Sequence, residues 1–244
     1  MVINSERRRA ALDRANHAPT RRLGFVRDQL RTLAMALVLF LVVRAFLVEA
    51  FKIPSASMEG TLLTGDFLLV NKLVYGAEVP FVRGRTPSIR APRRGDVVVF
   101  QWPADRTKNF VKRVVGLPGD TLSMRYGRLA LNGRDQPELY AQHSQVTDRR
   151  DSDFGWQTSY LAAAIRDYRP SRDNWGPLVV PFGNYFVLGD NRENSLDSRY
   201  WGFVPDSLIR GQPLVVYYSF DSEGLSPGGW LSRVRWRRLG ALIQ

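Results

Sequence analysis

The chain has 244 residues, 44% of them hydrophobic and 24% charged, a balance that excludes wholesale disorder and fibrous low-complexity structure. It has no cysteine and two histidines, His17 and His143, which excludes disulfides, zinc knuckles, iron–sulfur clusters and a thiol nucleophile. The net charge of +12 is concentrated early: residues 1–31 hold eight arginines against Glu6, Asp13 and Asp28, and no dense lysine patch with stacking aromatics follows, so nucleic acid is not an expected partner.

Residues 1–30 read as a basic tail. In the next stretch, 32–51 (TLAMALVLFLVVRAFLVEAF), seventeen of twenty residues are apolar. That length matches the ~20 residues that cross ~30 Å of hydrocarbon, although the uncharged run, 32–43, is shorter. A cleaved signal peptide is disfavoured by the long charged segment before it. The sequence predicts a single transmembrane anchor over 31–50. With the arginines preceding it, the N-terminus is expected in the cytoplasm and everything later across the cell membrane, on the periplasmic or extracytoplasmic side.

Short apolar runs then recur: Phe67–Asn71, Val97–Trp102, Phe110–Val115, Thr121–Met124, Arg128–Leu131, Tyr185–Leu188 and Leu214–Ser219. Turn signals separate them, among them Tyr126-Gly127, Asn132-Gly133 and Pro118-Gly119-Asp120. The fold class is mainly β: a folded antiparallel barrel or sheet body over 51–134 and 181–244, with 135–180, polar and rich in Asp and Arg, as an inserted cap or loop region. Ser159–Asp167 is the one helical candidate after the anchor. Residues 76–94 are a second excursion, and Arg94-Gly95-Asp96 reads as a plain turn. In the tail, Arg233, Arg235 and Arg237 alternate with Val234 and Trp236, which predicts a strand; Trp230 and Trp236 resting at a lipid interface is the alternative.

Three segments carry chemistry. Pro54-Ser55-Ala56-Ser57-Met58-Glu59-Gly60 is a loop of small residues exposing hydroxyls and amides, able to supply a nucleophile and an oxyanion donor, or simply a loop. In Asn109–Val115, strand alternation puts Lys112 on one face with Phe110 and Val114, and Arg113 on the other with Val111 and Val115. Lysine near its ordinary pKa is only ~0.4% neutral at pH 8, and burial makes it a base by disfavouring the ammonium. A lysine snorkelling from an edge strand is the alternative. Gly189–Gly202, GDNRENSLDSRYWG, packs turn formers and Asp–Arg combinations into one polar loop directly after a strand.

Together PSASMEGTL, NFVKRVVGLPGD and GDNRENSLDSRYWG resemble the bacterial type I signal peptidases, membrane-anchored serine proteases with a Ser–Lys dyad; RAFLVEAFKIPSASM, GDFLLVNK and RGDVVVFQWP also look like family segments. The resemblance implies Ser57 as nucleophile, Lys112 as general base, Ser55 as an oxyanion-hole hydroxyl and Ser195 as the serine that orients the lysine. It implies a supporting framework of Arg113, Asp190, Asp197 and Arg199. It also implies substrates that are secreted preproteins with Ala-X-Ala-type signal peptides, bound as an extended strand whose alternate side chains enter small apolar pockets. Candidate pocket residues are Phe51, Ile53, Leu62, Leu68, Phe110 and Val111. No metal or other cofactor is expected and no oligomer is implied; the lipid bilayer is the other partner. The family usually has proline where this chain has Gly60. A related Ser–Lys maturation protease and a non-catalytic membrane adapter are the competing readings.

Overall fold

The computed structural model describes residues 24–78, 84–143, 148, 152–221 and 230–243. Residues 1–23 of the expected tail, 79–83 of the second excursion, and 144–147 and 149–151 of the expected cap lie outside the described residues. The chain separates into two units, Met1–Ala45 and Phe46–Gln244.

In the first unit, residues 24–42 form helix α1, and Val43–Leu47 continues as a π-helical turn. Leu33, Leu37, Leu39, Phe40 and Leu41 are all more than half exposed. Arg27, Asp28 and Arg31 lie in the first half of α1, and the apolar run leaves α-helical geometry at Val43. Among the described residues no helix is long and apolar enough to cross a membrane. The apolar stretch predicted as helix to residue 50 in fact ends in a strand, because β-branched and aromatic Val48 and Phe51 pair with Asn71 and Leu68 of the strand that follows.

The second unit is mainly β. Its strands are β1 (Val48–Lys52), β2 (Asp66–Asn71), β3 (Val97–Trp102), β4 (Asp105–Gly116), β5 (Thr121–Arg125), β6 (Arg128–Leu131), β7 (Arg134–Asp135), β8 (Trp175–Val179), β9 (Asn184–Leu188), β10 (Val204–Pro205) and β11 (Ile209–Ser219). One sheet has the order β1-β2-β11-β3-β4-β9-β10 and the other β7-β6-β5-β8, and every pairing is antiparallel. Tyr126-Gly127 and Asn132-Gly133 make the hairpin turns around β6, with positive φ at both positions of each (50° and 75°, 49° and 79°), as a type I′ turn requires.

Three apolar clusters fill the body. Val98, Phe100, Val114 and Val187 form one; Leu122, Met124, Leu178 and Phe186 a second; Ile53, Leu62, Leu68, Val70 and Val216 a third.

Three expectations need correction. Trp175–Val179, inside the stretch expected as cap, is a strand paired with β5, because Trp175 and Leu178 bury themselves in the second cluster. Ser159–Asp167 is not a helix; the helical turns are 3₁₀ and lie over Ser152–Tyr160, where Phe154 is buried. The tail is not a strand but two 3₁₀ turns, Trp230–Arg233 and Trp236–Arg238. Its arginines are drawn inward: Arg235 donates to the Thr64 carbonyl (2.8 Å), and Arg238 to the Thr61 carbonyl (3.0 Å) and the Asp66 carboxylate (2.5 Å). Arg94-Gly95-Asp96 is a turn, as expected, with Gly95 at φ 89°.

Candidate active site

The site begins where β1 ends. From Ile53 to Asp66 the chain leaves and rejoins the sheet, closed by Ile53 N–H to the Asp66 carbonyl (2.8 Å) and Gly65 N–H to the Ile53 carbonyl (2.9 Å). Within this loop, extended Ser55 leads into a 3₁₀ turn, Ala56–Met58. Met58 is buried in the third cluster, and that pin fixes where its neighbour Ser57 points.

β4 brings Lys112 to the same place. Its Nζ lies 2.5 Å from Ser57 Oγ, and the residue is only 4% exposed. The amine also sits 5.6 Å from the Phe110 ring centre. Burial pulls its pKa from the ordinary 10.5 down to about 8; the Asp197 and Asp190 charges oppose the drop and Arg199 adds to it. The snorkelling alternative is thereby removed. Ser55 Oγ lies 3.4 Å from Ser57 Oγ.

The polar loop after β9 surrounds this pair. Arg113, on the opposite face of β4 from Lys112, clamps Asp190 through Nε (2.9 Å) and Nη2 (2.7 Å), and Asp190 in turn accepts from Thr61 Oγ1 (2.6 Å). Asp197 is held by Arg199 through two parallel bonds of 2.8 Å and receives the Gly189 N–H (3.1 Å). Burial pushes the Asp197 carboxyl up, but the Arg199 charge and hydrogen bonds overcome it and leave it below the usual carboxylate range. Bidentate geometry makes buried pairs of this kind rigid. The four residues thus form two buried ion pairs, Arg113 with Asp190 and Arg199 with Asp197.

Ser195 is also here, 6% exposed, but its hydroxyl makes no hydrogen bond of ordinary geometry among the described residues, to Lys112 or to any other group, although it helps to hold Asp197 low. The expected orienting bond to the lysine is therefore not formed. Ser195 is close because residue 189 has no side chain: a Cβ there would lie 2.2 Å from Ser195 Oγ and 2.4 Å from the Ser57 carbonyl.

A groove with a cavity of about 280 Å³ opens beside Ser57, walled on one side by Phe51 and Ile53 and on the other by Phe110 and Val111. Leu62 and Leu68, expected as pocket residues, lie behind this wall, fully buried in the third cluster. Met58, Asn194 and Leu196 line the groove without having been expected to.

The polar stretch after β7 supplies parts that no local pattern announced. Tyr140 stacks under the Arg113 guanidinium at 4.1 Å, and Glu138 binds Arg192 at 2.6 Å. The Gln142 backbone bridges the Asp190 carbonyl (2.7 Å) and the Arg192 N–H (3.1 Å). His143 contacts Glu193 at 3.2 Å, away from the Ser57–Lys112 pair.

Residues 26–218 match the protein family described as "Signal peptidase, peptidase S26", and the chain belongs to that family. A protein named signal peptidase I from Pseudomonas fluorescens is 41% identical over 215 residues, covering 81% of this chain and 74% of its own length. Another of that name, from Aquifex aeolicus, is 33% identical over 237 residues, covering 83% and 88%. A crystal structure of a signal peptidase I from Enterococcus faecalis matches 51% of this chain and 98% of its own at 32% identity, with a TM-score of 0.36.

Proposed function

We propose that this chain is a signal peptidase I, a serine endopeptidase that removes N-terminal signal peptides from exported preproteins, and that Ser57 and Lys112 are its catalytic pair. The observation that carries the assignment is the buried amine 2.5 Å from Ser57 Oγ, with a pKa of about 8. An amine with that pKa is substantially neutral at pH 8 and can accept a proton.

Neutral Lys112 takes the proton of Ser57 as Oγ attacks the scissile carbonyl carbon. The oxyanion that forms is met by the Ser57 N–H and the Ser55 hydroxyl. The new ammonium sits in the field of Asp197 and Asp190, which favour it. It returns the proton to the leaving amide nitrogen, the C–N bond breaks, and the signal peptide stays esterified to Ser57. Lys112 then deprotonates a water whose oxygen attacks the ester carbonyl; the C–Oγ bond breaks, the ammonium returns its proton to Ser57 Oγ, and the signal peptide leaves with a free carboxyl group. The substrate lies extended between the free edge of β1 and the part of β4 before Arg113, where the pairing with β9 has not yet begun; backbone hydrogen bonds hold it there and the apolar groove accepts small side chains of the Ala-X-Ala type.

The stretch 31–47 anchors the enzyme in the cell membrane, N-terminus inside and residues after 52 outside. Its exposed Leu33, Leu37, Leu39, Phe40 and Leu41 support this, since hydrocarbon relieves the cost of apolar surface in water, and the preceding arginine excess sets the direction.

Purified full-length chain incubated with a secretory precursor should yield one fragment pair by mass spectrometry. Ser57→Ala should fall to background. Ser55→Ala should lose about 10²–10³-fold in kcat, the effect of removing one oxyanion donor, and Ser55→Thr should recover most of it. Lys112→Arg should be inactive, because arginine does not deprotonate in proteins. Near-normal turnover by Lys112→Arg would end the assignment. Added protease should digest the large domain in spheroplasts; digestion in inverted vesicles alone would reverse the topology.

A further inference from the structure

Four residues after Ser57, the same loop returns to the strand that carries Lys112. Thr61 Oγ1 accepts from Arg113 Nη2 (3.1 Å) and donates to Asp190 Oδ2 (2.6 Å). Arg113 follows Lys112 directly in β4. The loop is therefore tied to two consecutive residues of one strand, through Ser57 to Lys112 and through Thr61 to Arg113. Asp190 brings the polar loop to the second of these ties.

The partners of Thr61 are stiff and dry. Arg113 donates twice to Asp190 and, through Nη1, to the Gly95 carbonyl (2.7 Å), so its guanidinium has little freedom. The Arg113 and Asp190 side chains are 3% and 0% exposed, and the Tyr140 ring covers the guanidinium. Loss of the hydroxyl would leave a donor and an acceptor unpaired where water has poor access. The Thr61 backbone is held as well. Its N–H donates to the Met58 carbonyl (3.1 Å), and its carbonyl accepts from Arg238 (3.0 Å). The turn from Ser57 to Thr61 thus closes on itself, and a displacement at residue 61 is passed to residue 57.

Resting on the proteolytic reading above, we infer that Thr61 is a positioning residue for the reaction: its hydroxyl sets the nucleophile loop against β4, and so sets how Ser57 Oγ meets Lys112 Nζ. Proton transfer and attack depend steeply on that alignment, and a small misplacement costs a large factor in rate. Thr61 does not line the groove, so substrate binding is not its task.

The test compares Thr61→Val, which keeps the shape and removes the hydroxyl, with Thr61→Ser, which keeps the hydroxyl. Full-length enzymes in detergent are given a secretory precursor at a temperature where circular dichroism shows them folded. Thr61→Val should lose about ten- to hundredfold in kcat with KM within about twofold of the parent, and Thr61→Ser should keep at least about half of the parent kcat. Thr61→Cys, with a weak donor, should fall between them, and it carries the comparison if the valine variant does not fold. A kcat within about twofold of the parent in Thr61→Val, a loss carried by KM, or a serine variant as slow as the valine or cysteine one would overturn the positioning role. A parent enzyme that leaves the precursor uncut would instead overturn the proteolytic reading.

Discussion

Replacing Lys112 by methionine should destroy activity and make the protein more stable at neutral pH. The buried amine is held at a pKa of about 8 in the folded chain against 10.5 in its ordinary state. At about 1.36 kcal/mol per pH unit, that difference means the protonated lysine destabilises the fold by about 3 kcal/mol. The sign follows from proton counts. Below pH 8 folded and unfolded chains both carry the proton, and the full cost of burying the ammonium is present. Between pH 8 and 10.5 the unfolded chain binds more protons than the folded one, so stability of the parent protein rises with pH. Methionine fills a similar volume without the charge. It also loses the bond to Ser57 Oγ, which offsets about 1 kcal/mol. The expected net gain is about 2 kcal/mol at pH 7, shrinking through pH 8–10.5 and then reversing. Chemical unfolding of full-length parent and Lys112→Met in the same detergent, at pH 6 to 11, measures it. The acid limb of kcat/KM in the parent should report the same titration near pH 8. If Lys112→Met were less stable at pH 7, or if the difference did not change between pH 8 and 10.5, the amine would not be charged, buried and strained as described.

Two further substitutions test how the loops are held. Gly189→Ala places a methyl 2.2 Å from Ser195 Oγ and 2.4 Å from the Ser57 carbonyl, and should cost about 1–3 kcal/mol with a fall of more than tenfold in kcat; thermal unfolding and peptide cleavage check it, and an unaltered kcat would show that Ser57 does not depend on this close approach. Gly60→Pro, which restores the family's usual residue, should destabilise by about 1–3 kcal/mol, because φ is 100° there and proline needs about −65°. A Cβ would also meet the Gln142 side-chain nitrogen at 2.4 Å. A raised melting temperature for Gly60→Pro would refute this.

What could be read from the sequence was what depends on neighbours along the chain. Val97–Trp102 alternates and is bounded by turn residues, and its strand has those limits. Tyr126-Gly127 and Asn132-Gly133 specify their own turns. Lys112 stood out because alternation alone sets it among Phe110 and Val114. What was missed depends on distant partners. Val48–Lys52 continues an apolar run, and only its pairing with β2 makes it a strand. The alternation of Arg233, Arg235 and Arg237 looked like a strand until Arg235 and Arg238 found carbonyls and a carboxylate more than 170 positions away. Tyr140 and Gln142 sit in a polar stretch with no period, and their positions follow from Arg113 and Asp190, which the sequence does not place beside them. Leu62 and Leu68 were expected beside the substrate because they are apolar and near Ser57; apolar character alone does not distinguish a groove wall from the packing behind it.

The arginines of the last turns have a bearing on timing during synthesis. The loop that carries Ser57 closes through Asp66, and Asp66 receives Ser219 Oγ at 2.7 Å and Arg238 at 2.5 Å. β2 likewise finds its second neighbour in β11, some 150 residues later. Closing so long a stretch costs chain entropy before any contact compensates it. The first third of the body therefore cannot settle as it is made. A ribosome must deliver residue 238 before the loop around Ser57 has its last supports, so a growing chain carries both members of the pair long before it carries a finished enzyme.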